Sequence, residues 1–160
     1  FVTAVPLSIL RNNVFLLLIA IFSFYLAFSG WCFARNRSGV PRRIDWVRAL
    51  VMLLCSAAMA VYGVQLLSSG SNGGAVMLVF GAIGTLLAFQ DIRIIRNGGV
   101  RGTERVARHL TMMLAATIAT ITAFLVVNIS FHPGLVLWLA PTAVIVPIIV
   151  LMSRRVTRAA

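Results

Sequence analysis

Five apolar runs alternate with short polar stretches along this 160-residue chain. They are Val14–Ala34, Ala49–Leu67, Ala75–Ile95, Leu110–Ile129 and Leu135–Met152. A membrane-crossing helix needs roughly 20 mostly apolar residues, so each run qualifies or comes close. The third is the weakest, because Gln90, Asp91 and Arg93 crowd its end. The fifth contains Pro141 and Pro147. Each removes a backbone donor and bends a helix, which a packed membrane bundle tolerates. The pattern predicts an all-α fold, a polytopic transmembrane helix bundle forming one integral membrane domain over residues 1–160. Residues 1–10 are apolar but too short to span. They are read as the last turns of an earlier helix, which would bring the spans to six.

Small residues recur within these runs at helical spacing. The first offers Ser23, Ala27, Gly30 and Ala34. The second offers Ala49, Ser56, Ala60 and Gly63, the third Gly84 and Ala88, and the fourth Ala116, Thr120 and Ala123. Lipid gives helices little hydrophobic reason to associate, so close backbone approach along small-residue stripes takes over. The stripes therefore predict helix packing, with a solute path as the sharper alternative. Aromatics cluster in the first run (Phe22, Phe24, Tyr25, Phe28, Trp31 and Phe33), and Trp31, Trp46 and Trp138, near the predicted boundaries, are expected to act as interfacial anchors.

Composition removes the soluble alternatives. Apolar residues make up 61% of the chain and charged residues 11%, against roughly 25% charged in ordinary soluble domains. The net charge of +11 would point to nucleic acid in a soluble protein, but here the arginines fall into clusters between apolar runs. One cluster runs from Arg35 to Arg48, one from Arg93 to Arg108, and one holds Arg154, Arg155 and Arg158. Only Arg11 lies on the other side. The positive-inside rule assigns the clusters and the carboxyl terminus to the cytoplasmic face of a bacterial inner membrane. Anionic headgroups are the expected partners of the arginine loops. No nucleic-acid partner is expected, and a homo-oligomer or a second membrane protein is compatible with the pattern.

Little in the chain supplies chemistry. Cys32 and Cys55 have no metal-ligand spacing and read as buried apolar residues. The acids number three, and no phosphate loop, nucleophile elbow or zinc motif occurs, so a non-enzymatic role is favoured and no cofactor is specified. Asp91 lies seven and three residues beyond Gly84 and Ala88, on the same stripe. His109 heads the stripe through Met113, Ala116, Thr120 and Ala123. The two flank one connection and could meet there, where a carboxylate can orient a histidine. Pairing of Asp91 with an arginine is the plainer reading, as is a hydrogen-bonded interfacial histidine at His109. Asn128 and His132 are polar groups at the outer end. His132 lies about 30 Å from His109 along a helix, so the two cannot share one haem. The leading expectation is a protein that binds or moves a small solute or proton. The alternatives are a redox subunit holding haem or quinone near His109, and a structural partner of another membrane protein.

The stretches Phe15–Trp31 (FLLLIAIFSFYLAFSGW), Val79–Arg96 (VFGAIGTLLAFQDIRIIR) and His109–Pro147, with its TAFLVVN and WLAPT, together resemble a set of small bacterial multi-span membrane proteins of unknown function. Those proteins typically carry one more amino-terminal span. The resemblance implies no activity. It directs attention to Tyr25, Ser29, Gly30, Gln90, Asp91, His109, Asn128, Trp138, Pro141 and Thr142. Among these, Tyr25 and Gln90 join Asp91 and His109 as candidate polar or proton-handling residues.

Overall fold

The computed structural model describes residues 6, 10, 13–129 and 135–158. Among them the chain is all-α, with no strand. Its helices are α1 (Val14–Arg35), α2 (Arg43–Ser68), α3 (Gly73–Arg96), α4 (Gly102–Asn128) and α5 (Leu135–Arg158). All five are long and apolar enough to cross a membrane, which is the build of a multi-pass membrane protein. The expected early helix at residues 1–10 falls almost wholly outside the described residues, as does His132.

The helices outrun the apolar segments. α2 begins at Arg43 rather than Ala49, α4 at Gly102 rather than Leu110, and α5 continues to Arg158. Apolarity marks where hydrocarbon begins, whereas a helix ends where its backbone bonding does. Asp45 and Glu104 fall in the first turns of α2 and α4, where a negative charge complements the helix dipole.

The chain divides into two compact units. In the first, α1 up to Tyr25 combines with Pro41–Gly98. Its core is the hairpin of α2 and α3, packed along a seam with a coiled-coil period. The buried residues of α2 include Asp45, Ala49, Met52, Ser56, Met59 and Gly63. Those of α3 include Gly74, Met77, Gly81, Gly84, Ala88, Asp91 and Ile95. Steps of three and four residues alternate in both. Glycine brings the backbones close. A Cβ on Gly74 would come within 2.6 Å of the Gly63 carbonyl oxygen and 2.7 Å of the Leu67 nitrogen, and one on Gly84 would collide with Met52 and Ser56. Flexible methionines fill the remaining space, with Met52, Met59 and Met77 fully buried. Opposite the seam, Leu50, Leu54, Val61 and Val64 of α2 are exposed, as a lipid-facing surface requires. Ala60 of the expected stripe is also exposed, because the seam at this level passes through Met59.

The second unit holds Leu26–Val40 and Gly99–Ala160. Here α4 packs on both the last turns of α1 and on α5. Two neighbours need two faces, so the expected stripe on α4 is only partly interior. Met112, Ala116, Ile118 and Thr122 are buried, while Thr120 and Ala123 are exposed. The loop after α1 turns at Gly39, whose φ of 69° belongs to the left-handed region that glycine enters without strain. A side chain there would also strike the Val100 carbonyl. The aromatics of α1 divide between its two faces. Phe24 and Trp31 are exposed, but Phe22, Tyr25 and Phe33 are buried. Phe22 meets Phe80 edge-on, with ring centroids 5.3 Å apart.

Candidate functional site: a buried acid–arginine–acid cluster

The seam of the first unit ends in charge. Asp91 occupies the seam position after Ala88 and is 0% exposed. Its Oδ2 accepts a hydrogen bond from the Tyr25 hydroxyl at 2.8 Å and lies 3.1 Å from Nη2 of Arg48. The Arg48 side chain is 4% exposed, and its Nη1 lies 3.6 Å from Oδ1 of Asp45. Asp45 is tied down in turn. Its Oδ2 accepts the Arg42 backbone N–H at 2.8 Å, while Arg42 Nε stands 3.7 Å away. One buried guanidinium thus bridges two carboxylates, and the Asp45–Arg48–Asp91 triad carries a formal charge of −1.

Local sequence sets this geometry. Asp45 and Arg48 are three residues apart on α2, so they share a face. Arg48 precedes the seam residue Ala49, which turns it inward against α3. Tyr25 comes from α1, on the face that also buries Phe22. Burial of this kind is costly for a charge unless it is paired, and in a membrane span it marks a candidate functional group.

In the second unit, His109 Nδ1 lies 2.8 Å from the Gly30 carbonyl oxygen. A carbonyl only accepts, so Nδ1 carries the proton. One turn earlier on α4, Arg105 Nη1 donates to the carbonyls of Phe33 and Ala34 at 2.8 and 2.9 Å. The Phe33 and Ala34 carbonyls lie in the last turn of α1, where a helix has unsatisfied acceptors and a partial negative charge, and the Gly30 carbonyl lies one turn earlier. Close approach is again required, because a Cβ on Gly30 would press on Met112 and Met113.

Of the candidate residues, the fold brings Tyr25 and Asp91 together. His109 bonds to the α1 backbone within the second unit. Gln90 is exposed on α3. Asn128 is exposed and donates to the Phe124 carbonyl at 2.8 Å within its own helix. Cys32 and Cys55 are buried. The sequence reading missed Arg48, which it counted with the loop arginines, and Asp45. The available signal was their seam register, with Asp45, Ala49, Met52 and Ser56 spaced four, three and four residues apart. No group of three or more potential metal-ligating side chains occurs among the described residues. No protein-family model, curated protein or solved structure matches the chain.

Proposed function

We propose that this chain is a non-enzymatic, multi-pass membrane protein that handles a proton, or a small solute moving with one, at Asp91. The supporting observation is the fully buried Asp91 carboxylate, held by Tyr25 and by an arginine that has a second carboxylate within reach. A proton on Asp91 cancels its attraction for Arg48, and Asp45 remains as the counter-ion. The buried arginine then has two alternative partners, which is what a proton-coupled change of state needs. In this reading the arginine loops face the cytoplasm of a bacterial cell, by the positive-inside rule. Arg35, which stands over the exposed Trp31 ring at 5.1 Å, sits at the headgroup level.

The test uses the full-length protein in liposomes loaded with a pH-sensitive dye. After an imposed pH step, wild-type vesicles should equilibrate faster than empty ones. Asp91→Asn should return the rate to that of empty vesicles, and Asp91→Glu should keep part of it. Equal rates for wild type and Asp91→Asn would defeat the proposal. An absorption spectrum of the purified protein addresses the redox alternative. With its proton on Nδ1, a neutral His109 keeps a lone pair on Nε2, and a haem band would favour that reading instead.

A further inference from the structure

Hydroxyl groups in lipid-embedded helices usually fold back onto the carbonyl four residues earlier. This chain follows the habit at Ser23, Ser56, Thr85, Thr111, Thr117 and Thr120. Thr122 and Thr142 break it. Both hydroxyl oxygens are buried, and neither has a hydrogen-bond partner in the protein. Thr122 is only 2% exposed.

The two positions share a level of the α4–α5 hairpin. Thr111 Oγ1 and Ser153 Oγ lie 2.9 Å apart and fix the register. Thr122 is 11 residues further along α4, and Thr142 is 11 residues back along α5. Eleven residues make about three helical turns, so both return to the faces that meet at Thr111 and Ser153. The span ends agree. Thr122 lies about 6 Å inside Val126, and Thr142 about 9 Å inside Val136, at 1.5 Å per residue. Pro147 intervenes on α5. An internal proline bends a helix, which gives a reason why the direct bond of the lower level is not repeated here. Pro141 adds a third polar group. It has no N–H to give the Leu137 carbonyl, one turn before it.

We infer that Thr122, Thr142 and the Leu137 carbonyl form a hydration site within the membrane span, holding an ordered water between α4 and α5. Three polar partners are what a buried water ordinarily has. Two hydroxyls can each donate or accept, and the carbonyl accepts a hydrogen bond from the water. The inference lies in the second unit and is independent of the role given to Asp91.

Water-edited solid-state NMR on the full chain in lipid bilayers tests it directly. The Thr122 and Thr142 methyl signals should receive magnetisation from water at short mixing times, while the lipid-facing Val144 methyls should not. In Thr142→Val, water transfer to Thr122 should fall at least several-fold, and Thr142→Ser should restore it. Thermal unfolding supplies a second sign. If water completes the site, Thr122→Val lowers Tm. If the hydroxyl is merely buried and unsatisfied, the same substitution raises it. Absence of water transfer in the wild type, or a higher Tm in Thr122→Val, would overturn the inference.

Discussion

Removing the two members of the Asp91–Arg48 pair should have unequal effects, and the inequality follows from counting charge. Asp91→Asn leaves Arg48 with Asp45 at 3.6 Å, so the remaining pair is neutral. The asparagine can still accept from Tyr25. Arg48→Met leaves Asp91 wholly buried beside Asp45, with two negative charges and no buried cation. Breaking a buried pair from one side costs about 3–5 kcal/mol. Asp91→Asn should fall at or below the lower end of that range, at about 2–3 kcal/mol, because the counter-ion is replaced. Arg48→Met should approach about 5 kcal/mol. The double variant removes the imbalance and should cost less than the sum of the singles by at least about 1 kcal/mol, as contacting residues do. Equilibrium unfolding in bicelles, followed by tryptophan fluorescence, gives all four corners of the cycle. Additivity within about 0.5 kcal/mol, or a larger cost for Asp91→Asn than for Arg48→Met, would refute the reasoning.

Gly74→Ala should destabilise the α2–α3 hairpin by about 1–3 kcal/mol, the usual cost of overpacking, because its new carbon meets backbone at 2.6 and 2.7 Å. Ala60→Val, on the exposed face of α2, should stay within about 0.5 kcal/mol, and the same unfolding assay checks both. Arg105→Gln should cost about 1–2 kcal/mol, since it removes charge-assisted bonds to two α1 carbonyls. Hydrogen exchange should accelerate locally in the last turn of α1, and unchanged exchange there would count against the capping role. A single cysteine at Ser38, in a background with Cys32 and Cys55 replaced by alanine, should resist an impermeant thiol reagent added outside intact cells. Labelling from outside would reverse the proposed orientation.

Much of the helical architecture was legible because the signal was coarse. Runs of about 20 apolar residues have few alternatives to a membrane helix. The α3 seam could also be read, since Gly84, Ala88 and Asp91 keep a period that brings them to one face. Arg48 was harder, because an arginine near a span end serves topology far more often than burial, and only its register with Ala49 separates the two roles. Tyr25 sits among six other aromatics of α1, and composition alone cannot say which of them turns inward. On α4, small residues suggested Thr120 and Ala123 as interior, yet the fold buries Thr122. A single-stripe argument assumes one neighbour, and this helix has two. The link between His109 and the Gly30 carbonyl was beyond reach, because sequence gives no sign of which backbone groups a side chain will meet.

The placement of charge on the α2–α3 hairpin bears on how the protein is made. Asp45 and Arg48 lie near the start of α2, and Asp91, Arg93 and Arg96 near the end of α3, so every ionisable acid or arginine of the hairpin gathers at one end. The linking segment 69–72, Ser-Gly-Ser-Asn, bears none. In the proposed orientation this neutral tip is the part that crosses the bilayer during biogenesis. A centrally placed Asp or Arg costs about 2.5–3.5 kcal/mol at insertion, and here none has to make the passage. In that orientation the nascent hairpin enters as a unit, with its acids and arginine meeting at the face from which they started.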